Sequence, residues 1–233
     1  MQDYPKDVGW VRSFHAPQYR VLRVLFYRAM PETPIPIPWN DAAGHIADSV
    51  AGRSAVVGIT GPAGAGKSTL AGLVAACSGG LVLSTDEYLP DYDLVPEADR
   101  DLPEHADLAL LAENLRSLRS GTAASIPVWS FHAHKRVDSR LVEPPENGPV
   151  IVEGLFALHA TLGDAVDLRV FVEADPSVRW SRWEAIEQRG ERGMGVEAAR
   201  RFFHEVADPT YARFAQGYRA LADIIVLNGQ EAV

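Results

Sequence analysis

Four residues with a fixed spacing, Gly61, Gly66, Lys67 and Ser68, could bind the phosphates of a nucleotide. They form the pattern G-x-x-x-x-G-K-S, in which the glycines allow successive backbone N–H groups to turn toward phosphate oxygens. The lysine side chain would reach the β- and γ-phosphates, and the serine hydroxyl would bind Mg²⁺. The pattern predicts a nucleotide-phosphate site, but it leaves the reaction open.

The residues on either side of this pattern predict the strand and the helix that the chemistry needs. Ala55–Thr60 is a short apolar run rich in β-branched residues, as expected of a strand buried on both faces. Residues 68–76 are small and apolar and predict a helix, whose N-terminus adds positive potential. The residues that we expect to contact the nucleotide here are Gly61, Ala63, Gly64, Ala65, Gly66, Lys67, Ser68 and Thr69.

Composition limits the classes of protein to which the chain can belong. Its 233 residues are 47% hydrophobic, which suffices for one sizeable core or for one domain with an appendage. The net charge of −9 argues against a nucleic-acid or an anionic-membrane surface. Cys77 is the single cysteine, which excludes an internal disulfide and a cysteine-based metal site. Because no apolar run approaches the roughly 20 residues of a membrane span and no secretory signal is evident, we expect a cytoplasmic protein.

The first 53 residues differ in composition from the rest, and we interpret them as an N-terminal extension of a domain formed by residues 54–233. Residues 1–30 are basic, and their apolar part fits a short helix or a strand. This part either packs on the main domain or contacts a partner or a membrane. Residues 31–39 contain alternating prolines, which predict an extended, polyproline-like connector. A short helix through Val50 would follow.

From Ala55 onward, strands alternate with helical patterns. This order predicts an α/β fold with three layers, in which helices cover both faces of a mostly parallel five-stranded sheet. Residues 123–145 are irregular and would hold a small hairpin. The predicted strands are Ala55–Thr60, Leu81–Ser84, Val150–Glu153, Leu168–Val172 and Ile224–Leu227, and the predicted helices after the first are 107–120, 177–188 and 196–206.

Two carboxylates are predicted at the edge of the sheet where ligands bind. In open parallel sheets that edge lies outside the carboxyl ends of the strands. Asp86 follows the second predicted strand, and Glu153 ends the third. Phosphoryl transfer needs one carboxylate near the acceptor hydroxyl and another near the metal. We assign Asp86 to the first role and Glu153, with Ser68, to the second; a turn or helix-capping role is the alternative for each.

Arginines are concentrated late in the chain, between residues 179 and 201. Within this region the segment 188–195 contains three glycines together with Arg189 and Arg192. A flexible segment that carries guanidinium groups is typical of a lid that closes over phosphates and excludes water. A solvated charged turn with internal ion pairs is the alternative interpretation.

Six stretches, in this order along residues 55–229, resemble motifs of the uridine kinase branch of the phosphoribulokinase and uridine kinase family. The first is the phosphate loop, and the second resembles the segment that bears the family's catalytic aspartate. The others resemble a ribose-binding stretch, a strand and loop that hold the base, the third strand and the closing strand. In this chain they read GPAGAGKST, LVLSTDEYL, DLPEHAD, IPVWSFHAHKR, VIVEGLFAL and ADIIV.

This resemblance implies a P-loop NTPase fold and transfer of the γ-phosphoryl group of ATP or GTP to a hydroxyl of a small molecule, with Mg²⁺ as the metal. The acceptor in this family is often the 5′-hydroxyl of uridine or cytidine. Asp86 would be the catalytic base, assisted by Lys67, and Asp101 would hold the ribose hydroxyls. The residues implied around the base and the rest of the substrate are Trp129, Phe131, His134, Arg136 and Arg182.

The chain departs from the uridine kinase pattern at four positions. Leu89 stands where an aromatic residue closes the second motif, and Trp129 stands where tyrosine is usual. Trp183 replaces a second arginine, and Phe202 falls near a glutamine that contacts the base. Kinase chemistry does not depend on these positions, so pantothenate, a sugar or a phosphosugar are alternative acceptors.

A non-enzymatic, nucleotide-dependent regulator is the third interpretation. A GTPase-type switch would carry an N-K-x-D motif, which the sequence lacks. Its D-x-x-G pattern, Asp41–Gly44, precedes the phosphate loop instead of following it. The sequence leaves the oligomeric state open, a homo-oligomer included.

Overall fold

The computed structural model describes residues 34–229, so the segment within residues 1–30 lies outside the described residues. The strands are β1 Ile35–Pro38, β2 Val56–Thr60, β3 Leu81–Ser84, β4 Ala124–Ser130, β5 Lys135–Val142, β6 Val150–Glu153, β7 Leu168–Glu173 and β8 Ile224–Leu227. The α-helices are α1 Trp39–Val50, α2 Lys67–Ser78, α3 Leu108–Arg119, α4 Pro176–Gln188, α5 Val196–Phe202 and α6 Asp208–Leu221.

The main sheet has six strands in the order β1-β8-β7-β2-β6-β3, and every pairing in it is parallel. One face packs against α1 and α2 through residues such as Ile46 and Leu70. The other face packs against α3 and α6 through residues such as Leu111 and Tyr211. These three layers confirm the predicted α/β fold, and all five predicted strands lie in the sheet.

The sixth strand, β1, corrects the interpretation of residues 31–39 as a polyproline-like connector. β1 pairs in parallel with β8, and Ile37 is buried against the sheet. Pro36 and Pro38 are tolerated because β1 is an edge strand of the sheet formed by residues 34–229. On one side its backbone has no partner strand among these residues, and a missing N–H there breaks no ladder bond. Because α1 also contributes Ile46 and Val50 to the core, we propose a domain boundary before β1 instead of after residue 53.

The remaining elements are the hairpin formed by β4 and β5 and the three helices after β7, namely α4, α5 and α6. β4 and β5 pair in antiparallel fashion, which confirms the predicted small hairpin. A π-helical turn, Phe203–Ala207, joins α5 to α6, and α6 has no counterpart among the predicted helices. Among residues 34–229, no helix is both long and apolar enough to cross a lipid bilayer.

Candidate active site

The phosphate loop, residues 61–66, runs from the end of β2 to the first residue of α2. At Gly64 the backbone has φ = 76°, and a Cβ there would lie 2.4 Å from the carbonyl oxygen of Arg179. At Gly66 φ is 98°, again in the left-handed region. Only glycine fits both positions without strain. The loop therefore brings the amino end of α2, with its free N–H groups, to the carboxyl edge of the sheet.

Lys67 is the first residue of α2, and its ammonium group lies over the phosphate loop. Its Nζ donates a hydrogen bond to the carbonyl oxygen of Pro62 at 3.0 Å. Burial lowers the pKa of Lys67, and the negative charges of Glu153 and Asp86 oppose that change. Among the described residues no carboxylate forms an ion pair with Lys67, so its partly buried ammonium group is well suited to bind a phosphate oxygen.

Ser68 and Glu153 form the predicted metal site. Ser68 Oγ donates to Glu153 Oε2 at 3.1 Å. Burial, together with the negative charge of Asp86, raises the pKa of Glu153. Within the described part of the chain, no three His, Cys, Asp or Glu side chains form a cluster that could hold a metal. One carboxylate and one hydroxyl fit Mg²⁺, which commonly takes few protein ligands and completes its shell with phosphate oxygens and water.

Asp86 is held at the end of β3 by a tightly capped 3₁₀ turn, Thr85–Tyr88. The backbone N–H of Asp86 donates to Ser84 Oγ at 3.2 Å, and the N–H of Ser84 donates to Glu87 Oε2 at 3.4 Å. This reciprocal capping fixes the turn. The register pairs Ser84 with Glu153, so both predicted carboxylates lie at the same edge of the sheet.

A cavity of about 430 Å³ lies at this edge and contains most of the predicted site residues. Gly61 and Ala65 belong to the loop but do not line the cavity, and Arg136 lies outside it. The predicted residues that line it are Ala63, Gly64, Gly66, Lys67, Ser68, Thr69, Asp86, Asp101, Trp129, Phe131, His134, Glu153, Arg182, Arg189 and Arg192.

Asp101 is another carboxylate that lines the cavity. It is only 8% exposed. Burial, and secondarily the negative charge of Asp86, raises the pKa of Asp101 to about 6. Arg192 and Lys67 act in the opposite direction. A buried carboxylate with this pKa gains from a ligand that donates hydrogen bonds to it, because such bonds favour the charged form.

Four rings form an aromatic wall beside Asp101: Tyr92, Trp129, Phe131 and His134. Tyr92 stacks on His134 with ring centroids 5.3 Å apart and an interplanar angle of 22°. Trp129 meets Tyr92 at 5.0 Å and Phe131 at 5.2 Å. All four line the cavity, so the wall offers ring faces on which a planar ligand can stack.

Backbone contacts fix this wall, which the hairpin and the segment after β3 share. Trp129 Nε1 donates to the carbonyl oxygen of Pro90 at 3.2 Å, so the indole N–H is paired with the backbone. The N–H of Tyr92 donates to the carbonyl oxygen of His134 at 2.9 Å. His134 adopts φ = 52°, uncommon for a non-glycine residue and typical of a tight turn.

Arg136, which the resemblance places beside the base, has a different position. Its Nη1 pairs with Asp107 at 3.3 Å, and its Nη2 donates to the carbonyl oxygen of Tyr88 at 3.0 Å. Its backbone N–H donates to Asp91 at 2.8 Å. Arg136 therefore ties the hairpin to the segment that carries Asp86 and Tyr92, and it does not line the cavity.

The predicted lid, residues 188–195, carries Arg189 and Arg192 in different environments. Arg192 lies between two rings, 5.2 Å from the centroid of Phe131 and 5.0 Å from that of Trp183. Arg189 pairs with Glu191, and both are exposed. Glu187, which directly precedes this segment, accepts from the N–H of Gly195 at its far end at 3.0 Å and from Trp183 Nε1 of α4 at 3.3 Å. The lid thus already contacts the aromatic wall through Arg192.

Arg182, in the middle of α4, connects this helix to the phosphate loop. Its Nη1 donates to the carbonyl oxygen of Gly64 at 3.4 Å, and its Nη2 donates to Oδ1 of Asn228 at 3.2 Å. Desolvation lowers the pKa of Arg182. Neutral oxygens hold this guanidinium group in place, and they leave its charge available to an anion on the loop.

Sequence reasoning missed three residues of this region: Tyr92, Glu187 and Asn228. Asn228 follows β8, is 6% exposed and donates from Nδ2 to the carbonyl oxygen of Ala65 at 2.7 Å. The rule that found Asp86 and Glu153, a polar residue at the carboxyl end of a strand, would also have found Asn228. No local pattern marks Tyr92, because its partners Trp129 and His134 lie far along the chain.

Comparison with known proteins gives matches to one family. The family model described as "Phosphoribulokinase / Uridine kinase family" matches residues 94–232. A protein named uridine kinase from Lactobacillus johnsonii is 32% identical over 189 residues, which cover 77% of this chain and 89% of the relative. A protein of the same name from Staphylococcus haemolyticus is 30% identical over 186 residues, which cover 76% and 89%.

Two solved structures share the fold. A chain from Silicibacter sp. TM1040, provisionally named as a fructose transport system kinase, superposes with a TM-score of 0.61 at 20% identity. The match covers 78% of this chain and 98% of the other. A chain from Bacillus stearothermophilus, provisionally named as a uridine kinase, has a TM-score of 0.51 at 18% identity and covers 80% and 98%. At these identities the two matches show the fold alone.

Proposed function

The chain belongs to the phosphoribulokinase and uridine kinase family, and from this premise we propose that it transfers the γ-phosphoryl group of ATP to the 5′-hydroxyl of a ribonucleoside, with uridine or cytidine as the first candidates. One observation carries the proposal. The buried carboxylate of Asp101 and the aromatic wall share one cavity with Lys67 and Asp86. A nucleoside is the acceptor that can use both a carboxylate for its diol and a wall for its base.

The phosphate loop and Lys67 bind the triphosphate. Backbone N–H groups and the N-terminus of α2 neutralise the β-phosphate, and Lys67 stabilises the charge that develops on the transferring group. Arg182 adds a guanidinium group whose present partners are neutral oxygens. Ser68 and Glu153 would hold Mg²⁺, which would supply further positive charge to the triphosphate. GTP presents the same triphosphate and is the alternative donor.

Asp86 orients the acceptor hydroxyl and accepts its proton. Its capped turn keeps the carboxylate at the edge where the phosphate loop and Glu153 also end. A fixed position matters because general-base catalysis requires the carboxylate within hydrogen-bond distance of the proton that it removes. Phosphoryl transfer needs mainly alignment and charge neutralisation, and Asp86 contributes the alignment on the acceptor side.

Asp101 binds the two vicinal hydroxyls of the ribose. A carboxylate accepts two hydrogen bonds, and a cis-diol offers two donors at a matching separation. The base then lies against Trp129 and Phe131, and the ring of His134 hydrogen-bonds to the base edge. Arg192, which already contacts Phe131 and Trp183, closes this compartment from the lid side.

An acceptor panel tests this proposal. We expect ADP release with uridine or cytidine as acceptor, and little release with pantothenate, sugars or phosphosugars. Turnover of one of those other alcohols, without turnover of any nucleoside, would contradict the nucleoside assignment and leave the kinase assignment intact. Binding of ATP without ADP release on any acceptor would instead support a nucleotide-dependent regulator.

A variant sharpens the same assay. His134→Ala should reduce the discrimination among the four ribonucleosides more than it slows the best one, because the base edge would lose its hydrogen bond. His132→Ala is the matched control, since His132 is exposed on the same hairpin turn and does not line the cavity. A uniform loss of rate on all bases in the His134 variant would argue against base recognition by this residue.

A further inference from the structure

Trp39 and Asn228 are neighbours because the strands that precede them, β1 and β8, are paired. The parallel register pairs Pro38 with Leu227, so the residue that follows each strand lies at the same edge of the sheet. Trp39 is the first residue of α1, half-buried, and packs partly on the core. The family model match begins at residue 94 and does not include it.

Both residues lie directly against the phosphate loop at Gly66. A Cβ built on Gly66 would lie 2.5 Å from Nδ2 of Asn228 and 3.2 Å from Cη2 of Trp39. Asn228 also donates to the carbonyl oxygen of Ala65. The edge of the Trp39 ring is therefore close to the backbone on which a nucleotide's phosphates would lie.

The order of strands tells which end of a nucleotide reaches Trp39. The phosphate loop follows β2. On one side of it lie β3, which precedes the predicted catalytic base Asp86, and β6, which ends at the predicted metal ligand Glu153. β7, β8 and β1 lie on the other side. A triphosphate whose γ end faces Asp86 and Glu153 therefore extends, through its α end, toward the carboxyl ends of β8 and β1.

We propose that Trp39 forms a wall of the subsite for the base of the bound nucleotide, against which the base packs, with Asn228 beside it against the loop. The inference rests on the proposed function, because it takes the triphosphate orientation from it. An indole ring offers a large π face that stacks on any nucleobase. Trp39 therefore raises the affinity for ATP and GTP alike and does not distinguish them.

Binding measurements on the full chain, with Mg²⁺ present, test this. Calorimetry would compare ATP, GTP and inorganic tripolyphosphate, which has the phosphates but no base. In Trp39→Leu we expect affinity for both nucleotides to fall about tenfold, as removal of a stacking partner typically does, and affinity for tripolyphosphate to stay within twofold. Trp39→Phe, which keeps a ring, should remain close to the wild type for all three.

Three outcomes would overturn the inference. An equal loss for tripolyphosphate in Trp39→Leu would mean that Trp39 shapes the loop and does not contact the base. A wild-type chain that binds tripolyphosphate as tightly as ATP would have no base subsite at all, and this result needs no variant to fold. A wild-type chain that binds neither ligand would contradict the proposed function itself.

Discussion

The phosphate side and the acceptor side of the cavity are built in opposite ways. The phosphate side comes from one contiguous stretch, residues 61–69, and works mainly through backbone groups and the end of α2. The acceptor side takes Asp101, Tyr92 and the hairpin rings from separate segments and works through side chains. A backbone site tolerates little change but serves every reaction that uses a triphosphate. A side-chain site can be altered one residue at a time.

This difference predicts that substitutions on the two sides of the cavity have different kinetic effects. A change on the phosphate side should lower the rate with every acceptor by the same factor, because the donor is common to all. A change on the acceptor side should alter the ranking of acceptors. Asp86 lies where the two sides meet, so its substitution should have the largest effect of all.

Asp86→Asn should therefore lower kcat by about 10²- to 10⁴-fold, since the amide keeps the shape of the carboxylate but cannot accept the proton. The affinity for ATP should survive. Steady-state kinetics and calorimetry measure the two quantities separately. Asp164→Asn, at an exposed carboxylate outside the cavity, is the control and should behave as the wild type. A parallel fall in ATP affinity would instead place Asp86 among the metal ligands.

Lys67→Ala should lower kcat by about 10²- to 10³-fold, because a preorganised charge is lost from the transferring group. The factor should be the same for uridine and cytidine, as expected of the phosphate side. Lys135→Ala, an exposed lysine of the hairpin, provides the control. Wild-type turnover in a folded Lys67 variant would remove the loop from the mechanism.

The KM of the ribonucleoside should depend on pH through Asp101, which belongs to the acceptor side of the cavity. Because the pKa of Asp101 is raised to about 6, its carboxylate is ionised and able to accept the diol above that pH, and it becomes protonated below. We expect the KM of the ribonucleoside to rise roughly fivefold between pH 6 and pH 5. The KM of ATP, measured over the same range, reports on the phosphate side, and Asp101→Asn should flatten the ribonucleoside profile.

The same pKa has a consequence for stability. The folded chain binds a proton at Asp101 more tightly than the unfolded chain, whose carboxyl keeps a value near 3.8. The contribution of Asp101 to the free energy of unfolding is therefore largest at low pH and declines as the pH rises from about 4 to about 6. Asp101→Asn should remove this decline in urea titrations. A curve unchanged by the substitution would contradict the raised pKa.

Sequence could predict the phosphate side because the pattern, its strand and its helix are all local. Asp86 and Glu153 followed from one topological rule, that ligands bind at the carboxyl ends of parallel strands. On the acceptor side, only a family resemblance predicted Asp101, Trp129 and His134. Tyr92 completes the aromatic wall through contacts with residues about forty positions later, which no local pattern encodes.

Two further differences have identifiable physical causes. Arg136 follows the hairpin residues that line the cavity, but its guanidinium group is bound by Asp107 and by the carbonyl oxygen of Tyr88. Prolines favoured an extended connector before α1, but β1 pairs with β8 because an edge strand needs hydrogen bonds on one side only. Both depend on tertiary neighbours that the sequence does not reveal.

The central claim is that Asp101 and the aromatic wall select a ribonucleoside, and comparing uridine with 2′-deoxyuridine tests it most directly. Loss of one hydroxyl leaves a buried acceptor unpaired, which costs about 1–3 kcal/mol. The account predicts that kcat/KM for uridine exceeds that for 2′-deoxyuridine by roughly 5- to 150-fold in the wild type, and that Asp101→Asn narrows this ratio. Equal kcat/KM values for the two nucleosides in the wild type would contradict it.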